Sequence, residues 1–192
     1  MKIILIRHFM TQGNLEHRYI GTTDEPLLPG QAISYDYPEA EAVAVSPLKR
    51  CVETAEIIYP GTRSYVCEEL RECDFGLFEN QSYEQLKDHP AYQEWLRSGG
   101  RVPFPGGEGM DEFCDRCVKG FCRMAEKFME ESMEAAAFVV HGGTIMAILD
   151  RLAGHEEGFY HWQVKNGEAY RACLCEKEWR SGIRRLTEIE KL

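Results

Sequence analysis

The sequence predicts an α/β fold built on a layered, mainly parallel sheet. Short apolar segments of strand length alternate along the chain with longer segments in which apolar residues recur at helical spacing. The first apolar segment, KIILI at residues 2–6, is apolar throughout, which is typical of a strand buried on both faces of a parallel sheet. The length of 192 residues suits a single domain, 1–192, with a full hydrophobic core.

The next two predicted strands flank a helix. AVAVS at 42–46 and SYVCEEL at 64–70 are the second and third strand-like segments. Between them, SPLKRCVETAEIIY at 46–59 is predicted to be helical, because Ser46 is a suitable N-cap and Pro47 suits the first helical position.

The second half of the chain is predicted to contain three helical segments and a fourth buried strand. The helices are expected at 82–99, with an interruption at Pro90, at 110–134 and at 142–154, and the strand at 135–141.

Residues 168–179 and 181–190 are predicted to be a terminal pair of strands with a turn at Arg180-Ser181-Gly182. Residues 74–112 contain more loop signals than the rest of the chain, and we regard them as a candidate cap subdomain over the sheet edge.

Composition argues against several classes of partner. A net charge of -10 disfavours nucleic acid, because proteins that bind it carry a basic stripe. No apolar run approaches the roughly 18 residues of a transmembrane helix, and the start MKIILIRH is too soon interrupted for a signal peptide. We therefore expect no nucleic acid, no membrane association and a cytoplasmic location, while the oligomeric state is left open.

Eight cysteines raise the question of a zinc site. Cys114 and Cys117 lie three residues apart in a helical pattern and so share a helix face. A four-ligand site would need a second pair such as Cys173 and Cys175, which share a strand face. We favour apolar packing for these thiols, and we expect neither a metal nor a cofactor.

Polar residues follow each of the four predicted strands at its carboxyl end. In order along the chain they are Arg7 and His8, Ser46 and Arg50, then Arg71, Glu72 and Asp74, then His141, Gly142 and Gly143. The ligand crevice of a parallel sheet lies beyond these strand ends, so the side chains are expected to converge. Guanidinium groups match phosphate oxygens, and a helix start near Ser46 or Gly142 adds main-chain donors. The sequence therefore predicts a phosphate pocket.

The residue types in this pocket suit phosphoryl transfer. One histidine can attack phosphorus as a nucleophile, and the carboxyl group can protonate the leaving oxygen. The arginines can neutralise the phosphoryl charge, so no metal is needed.

Six sequence blocks resemble the histidine phosphatase superfamily, also called phosphoglycerate mutase-like. They occur in that family's order: RHFMTQGN at 7–14, YIGTTDEPL at 19–27, SPLKR…TA at 46–55, LRECDFGLFEN at 70–80, PGGE at 105–108 and HGG at 141–143. The resemblance implies a three-layer αβα sandwich with a mainly parallel central sheet. LRECDFG and PGGE are most similar to the branch that contains α-ribazole phosphatase and broad-specificity phosphatases.

Carried over position by position, the resemblance implies roles for individual residues. His8 is the phosphorylated nucleophile, and Glu72 is the proton donor and then the base for water. The phosphoryl oxygens are gripped by Arg7, Arg50 and His141. The residues assigned to the substrate and phosphate pocket are Asn14, Thr11 and Glu108, to which the helix start at Gly142 is added.

Some assignments stay open at this stage. Asp74 or Glu69 could be the acid in place of Glu72, and Glu108 could serve only to complement the dipole of the helix that follows it. The remaining histidines are interpreted as surface or packing residues: His17, His89, His155 and His161.

The chain departs from the family pattern at three places. Phe9 follows His8 where the family usually has glycine, and Glu79-Asn80 stands for its Glu-Gly. The helix that usually follows Gly30 is cut short, because only 15 residues lie between Gly30 and Ser46. Phenylalanine resists positive φ, so we expect Phe9 to have φ below zero and its ring to pack against the sheet or the pocket wall.

We expect a phosphomonoester hydrolase that acts through a phosphohistidine on a small phosphorylated metabolite, with α-ribazole 5'-phosphate as a candidate. Phosphoglycerate mutase activity is the alternative, although the chain looks too short for the segments that close the site in mutases. The change at Phe9 suggests a third hypothesis, that the protein is a phosphoryl-binding module that has lost catalysis.

Overall fold

The computed structural model describes residues 1–33, 35–154 and 158–192. In this part of the chain six strands form one sheet: β1 Lys2–Arg7, β2 Ala42–Val45, β3 Arg63–Val66, β4 Ala135–Val140, β5 Ala169–Leu174 and β6 Leu186–Lys191. Their order across the sheet is β3-β2-β4-β1-β5-β6. The first four strands are parallel, while β5 runs antiparallel to β1 and β6 antiparallel to β5. The expected mainly parallel sheet is confirmed.

Helices cover both faces of the sheet. They are α1 Gln12–Leu15, α2 Lys49–Ile58, α3 Tyr83–Leu86, α4 Pro90–Arg97, α5 Met110–Glu130, α6 Gly142–Leu152 and α7 Glu176–Arg180, with short 3-10 segments at Glu68–Leu70, Gly76–Phe78 and Phe159–Trp162. Among the described helices, none is both long and apolar enough to cross a membrane.

The central strand β1 divides the core into two layers, because successive side chains of a strand point to opposite faces. Ile3 and Leu5 belong to the cluster built on α5 and α6, whereas Ile4 and Ile6 pack with α2 on the other face. All four side chains are fully buried. The result is the three-layer αβα sandwich that the sequence predicts.

The predicted start of the helix after β2 and the predicted end of the third strand are wrong. The helix expected from Ser46 begins at Lys49 with Leu48 as its N-cap, because the Ser46 hydroxyl pairs with His141. The third strand ends at Val66, and Glu68–Leu70 is a 3-10 turn. The interruption predicted at Pro90 is confirmed, because the second helix of this segment begins there, and the His89 side chain caps that helix by accepting a hydrogen bond from the Ala91 amide.

The terminal pair of strands also differs from the prediction. Residues 176–180 form α7, so the predicted turn at Arg180-Ser181-Gly182 is a helix end. Trp179 is buried on this helix, and Glu176 and Arg180 form an ion pair one turn apart. Burial of a large indole on a helical turn outweighs the strand-like alternation of the segment.

The segment predicted as a cap subdomain, 74–112, contributes an aromatic cluster. Phe78 contacts Tyr92, Trp95 and Phe104 edge to face, and Trp95 stacks on Phe104. The segment contacts the loop between α1 and β2 through Tyr19, whose ring contacts Phe75. Its status as a separate subdomain stays a prediction.

Cys114 and Cys117 are buried on α5, in agreement with apolar packing. Within the described ranges the cysteines are free thiols, and no group of three His, Cys, Asp or Glu side chains is placed to hold a metal ion.

Candidate active site

The strand ends bring the predicted catalytic residues together. His8 follows β1 and His141 follows β4, the parallel neighbour of β1, and their ring centroids lie 5.2 Å apart. Arg50, on the first turn of α2, donates from Nε to His141 Nδ1 at 3.3 Å. Glu72 reaches the same place from the loop after the 3-10 turn and accepts a hydrogen bond from the Gly143 amide.

His8 is fixed in one tautomer. Its Nδ1 lies 2.6 Å from the Phe9 carbonyl oxygen, which can only accept, so Nδ1 carries the proton. Burial, together with the positive charges of Arg50 and Arg7, lowers the pKa of His8 well below its usual value. The imidazole is therefore neutral at neutral pH, and Nε2 has a free lone pair.

His141 is held in the opposite tautomer. Because Arg50 Nε donates to its Nδ1, the proton lies on Nε2, which donates to the Ser46 hydroxyl at 2.7 Å. Burial and the charge of Arg50 lower the pKa of His141 well below its usual value. The ring is thus neutral as well, and the positive charge of the cluster resides on the arginines.

The buried guanidinium of Arg50 is held by main-chain oxygens. It donates from Nη1 to the Thr23 carbonyl at 2.7 Å and from Nη2 to the Gly21 carbonyl at 2.9 Å. These two carbonyl acceptors hold the Arg50 guanidinium group in one orientation. Arg50 is 1% exposed, so these carbonyls replace its water shell.

Glu79 holds the loop that contains Gly21 and Thr23, whose carbonyl oxygens accept from Arg50. Its Oε1 accepts hydrogen bonds from the amides of Gly21 and Thr23, both at 2.9 Å, and from the Thr23 hydroxyl at 2.7 Å. The following residue, Asn80, has φ +59°, a left-handed conformation that asparagine tolerates better than most residues. The Glu79-Asn80 departure therefore preserves a glycine-like turn.

Arg7 offers a donor to the pocket. Its Nη1 donates to the Val164 carbonyl at 2.7 Å, whereas its buried Nε has no partner among the described residues. The side chain lines a cavity of about 1030 Å³. A buried donor beside a cavity suits an anionic oxygen of a ligand.

Glu72 has the environment of an acid. It accepts hydrogen bonds from the Cys73 amide at 3.0 Å and the Gly143 amide at 3.2 Å. Burial nevertheless raises the pKa of this carboxyl, outweighing the two amides and the charges of Arg50 and Arg7. A raised pKa keeps a larger protonated fraction available as a proton donor.

The alternative acids are engaged elsewhere. Asp74 accepts the Gly76 amide hydrogen with Oδ1, and Glu69 is paired with Arg123. Glu72 is thus the carboxyl group that the structure places at the start of α6, directly after His141, with the charges of Arg50 and Arg7 acting on it.

The residues predicted for substrate contact separate into two groups. Asn14 and Gly142 line the cavity with Arg7 and Glu72. The Thr11 hydroxyl instead accepts the amide hydrogen of Asn14 as the N-cap of α1.

Glu108 is not among the residues that line this cavity. Its carboxylate forms a bidentate pair with Arg116, at 2.7 and 2.6 Å, and accepts the Asp74 amide hydrogen. Arg116 also donates to the carbonyl of Glu72 at 3.2 Å. The structure therefore places Glu108 behind the loop that carries the acid.

Phe9 has the conformation expected of it. It is not among the residues with positive φ, and its 4% exposed ring packs against Gly167, where an added β-carbon would lie 3.2 Å from the ring. Its amide donates to the Thr54 hydroxyl. The packing role and the negative φ predicted for Phe9 are confirmed.

The remaining histidines are peripheral. His17 and His161 are exposed, although His17 borders the cavity, and His89 is the cap of α4 described above. His155 lies outside the described residues.

Two residues with contacts to this site carry no role in the sequence interpretation, Glu79 and Asn166. The signal for Glu79 is indirect: an arginine that is buried at a pocket needs carbonyl acceptors, and the loop that carries those carbonyls needs a group to hold it. Asn166 is separated from His8 by most of the chain, and no spacing rule connects them.

The chain matches the family described as Histidine phosphatase superfamily (branch 1) over residues 3–185. It is 25% identical to the uncharacterized phosphatase PhoE of Bacillus subtilis, over 93% of this chain and 91% of that protein. It is 26% identical to the adenosylcobalamin/alpha-ribazole phosphatase of Escherichia coli, over 87% of each.

A solved structure shows the same fold. The putative alpha-ribazole-5'-P phosphatase from Escherichia coli superposes with a TM-score of 0.79 at 23% identity, over 92% of both chains. The family match, over residues 3–185, includes the carboxyl ends of β1 to β4, from which the cluster is built. This chain belongs to the histidine phosphatase superfamily, branch 1.

Proposed function

We propose that the chain is a phosphomonoester hydrolase in which His8 carries the phosphoryl group. The observation that carries the proposal is the tautomer of His8. Its Nδ1 proton is committed to the Phe9 carbonyl, burial and the charges of Arg50 and Arg7 lower its pKa, and Nε2 is left as an unprotonated nucleophile.

The first half-reaction transfers the phosphoryl group to His8. The Nε2 lone pair attacks phosphorus in line, the N–P bond forms and the P–O bond to the alcohol breaks. Arg7 and Arg50 bind the equatorial oxygens of the phosphoryl group. In a loose transition state the negative charge is spread over these oxygens, so the guanidinium groups stabilise the charge and hold the phosphoryl group in position. Protonated Glu72 gives its proton to the departing oxygen, so the alcohol leaves neutral.

The second half-reaction returns the enzyme to its starting state. The Glu72 carboxylate takes a proton from water, the water oxygen bonds to phosphorus, and the N–P bond breaks with its electron pair returning to Nε2. The products are the alcohol and inorganic phosphate, and Glu72 is protonated again. The Gly142 end of α6 supplies further main-chain donors to the phosphoryl oxygens, and His141 orients Arg50 by accepting its Nε hydrogen.

The positive charges in the cluster support a reaction that needs no metal. Two guanidinium groups supply the charge that a divalent cation supplies in other phosphoryl-transfer enzymes. We expect hydrolysis to be unchanged after exhaustive treatment with a chelator. Loss of activity that returns with added Mg²⁺ or Zn²⁺ would contradict this part of the proposal.

The cavity wall favours a small substrate with an apolar or aromatic alcohol. The cavity is lined by Asn14 and by the rings of Tyr19, Phe75, Trp95 and Phe104. Because similar relatives include an alpha-ribazole phosphatase, α-ribazole 5'-phosphate is the candidate that we would test first. A net charge of -10 disfavours nucleic acid as the substrate.

One experiment separates this function from its alternatives. Native protein is incubated with a panel that includes α-ribazole 5'-phosphate, 3-phosphoglycerate and p-nitrophenyl phosphate, and both inorganic phosphate and 2-phosphoglycerate are measured. Release of phosphate is the expected result. Formation of 2-phosphoglycerate without release would identify a mutase, and stoichiometric binding without turnover would identify a phosphoryl-binding module.

A further inference from the structure

Asn166 lies in a turn that closes the end of β1. The 164–168 turn precedes β5, and its Gly167 amide donates to the Arg7 carbonyl at 3.0 Å, while the Arg7 amide donates to the Glu168 carbonyl at 3.1 Å. Arg7 Nη1 reaches the same turn at Val164. The turn is therefore bonded to the main chain next to the nucleophile.

The Asn166 amide group points into the same region. Its Nδ2 donates to the His8 carbonyl at 3.1 Å, to the Phe9 carbonyl at 3.3 Å and to Asn14 Oδ1 at 2.9 Å. The Phe9 carbonyl is the oxygen that receives the Nδ1 proton of His8. One side-chain NH2 group thus touches the partner that sets the tautomer of His8.

The same NH2 group also orients Asn14. Asn14 Oδ1 accepts from Asn166 Nδ2 and from the Thr11 amide, so its own NH2 group is the end left for the cavity that Asn14 lines. An NH2 group donates to phosphate oxygens, whereas a carbonyl oxygen would repel them.

We propose that Asn166 is a positioning residue for phosphoryl transfer, acting through two other residues. It fixes the Phe9 carbonyl that keeps the His8 proton on Nδ1, and it turns the Asn14 NH2 group toward the phosphoryl oxygens. This inference rests on the proposed function.

The two actions predict separate kinetic effects of Asn166→Ala. Without the side chain the Phe9 carbonyl is held less firmly, the Nε2-protonated tautomer of His8 becomes populated, and the competent fraction falls. We expect the single-turnover rate of phosphoenzyme formation with p-nitrophenyl phosphate to fall at least about tenfold, a barrier increase of about 1.4 kcal/mol. We also expect the inhibition constant of inorganic phosphate to rise.

A double-mutant cycle with Asn14→Ala separates the two actions. In that background the added Asn166→Ala change should leave the phosphate inhibition constant unaltered, because the NH2 group that it orients is gone. The phosphorylation rate should still fall. An effect on phosphate binding of equal size in both backgrounds would overturn the action through Asn14.

Tyr37→Phe is the matched control. The Tyr37 hydroxyl donates to the Gly167 carbonyl at 2.5 Å, so its removal loosens the same turn without touching the amide contacts of Asn166. We expect Tyr37→Phe to lower Tm while the phosphorylation rate stays within twofold of native. If Tyr37→Phe slows phosphorylation as much as Asn166→Ala, the role of Asn166 is only structural and the inference fails.

Ring ¹⁵N NMR of His8 provides a readout that does not need turnover. The native protein should show one tautomer with a protonated Nδ1, and Asn166→Ala should show a mixture. Asn166→Asp keeps the side-chain volume but removes the donor, and it serves the same test if the alanine variant does not fold. Unchanged ring shifts in a folded variant would overturn the inference, whereas a native protein that forms no phosphohistidine would overturn the proposed function alone.

Discussion

The Glu72 carboxylate fills the space that a side chain would occupy at Gly143. A β-carbon added to Gly143 would lie 2.3 Å from Glu72 Oε1, and the Gly143 amide donates to Oε2 at 3.2 Å. The absence of a side chain at the start of α6 thus lets the acid approach the main chain of the helix that follows His141. In this structure, the HGG block provides the space in which the Glu72 carboxyl group packs against the start of α6.

Replacing Gly143 with alanine should therefore displace Glu72. A misplacement of about 1 Å can cost about a hundredfold in rate, and we expect a loss of that order in kcat for alkyl phosphates. Gly109→Ala is the control, because its β-carbon would meet only Pro103, at 3.5 Å. Equal activity of Gly143→Ala and native protein would show that Glu72 does not act from this position.

Glu72→Gln should separate the two half-reactions. With p-nitrophenyl phosphate the leaving group needs no proton, so we expect a burst of p-nitrophenol of one per chain, followed by slow turnover, because hydrolysis of the phosphoenzyme still needs the base. For alkyl phosphates the burst itself should be slowed about a hundredfold or more. A burst slowed equally for both esters would assign Glu72 another role.

The pH dependence of the burst follows from the raised pKa of Glu72. The acid must be protonated, and a raised pKa keeps it protonated at pH values where an ordinary glutamate is ionised. We expect the burst rate with alkyl phosphates to fall as pH rises through this raised pKa. Because the pKa of His8 is lowered well below its usual value, the nucleophile stays neutral at pH values where an ordinary histidine is protonated. Protonation of His8 should therefore not reduce the burst rate near pH 6.

Glu79 should affect phosphate binding through Arg50. Glu79→Ala removes the acceptor that holds Gly21 and Thr23, whose carbonyls orient the Arg50 guanidinium. We expect the inhibition constant of inorganic phosphate to rise about tenfold, which corresponds to about 1.4 kcal/mol. Glu79→Gln keeps an oxygen at the position of Oε1 and should recover most of the loss. No recovery by glutamine would mean that the charge of Glu79 matters rather than its contacts.

Phe9→Gly should cost stability more than chemistry. The buried ring is lost, and removal of a buried phenylalanine costs about 3 kcal/mol in the free energy of unfolding. The Phe9 carbonyl that holds His8 is a main-chain group and is retained by glycine. Denaturant unfolding and kcat per folded molecule check the two expectations. A glycine variant that gains a hundredfold in turnover over a nearly inert native protein would instead identify a disabled phosphatase.

The sequence predicts the sheet and the cluster because both depend on local pattern and topology. An unbroken apolar run such as KIILI must be buried, and the carboxyl ends of parallel neighbours must meet, so His8 and His141 can be placed together from the chain alone. The same logic fails for α7, because the burial of Trp179 depends on contacts that the strand-like alternation of 168–179 does not reveal.

Groups that act on main-chain atoms are harder to find in a sequence. Glu79 and Asn166 bond to amides and carbonyls of distant segments, and any residue type can supply those atoms. Ser46 shows the related difficulty of choosing between two uses of one hydroxyl, since the partner His141 is 95 residues away. Such contacts are set by the tertiary structure.

The most direct test of this account is the site of phosphorylation. Native protein is mixed with p-nitrophenyl phosphate, stopped with alkali to preserve phosphohistidine, and mapped by mass spectrometry beside His8→Ala. We predict one phosphoryl group per chain on His8, no label in the alanine variant and loss of nearly all its turnover. A label on another residue, or a His8→Ala variant within about tenfold of the native rate, a barrier change under about 1.4 kcal/mol, would contradict it.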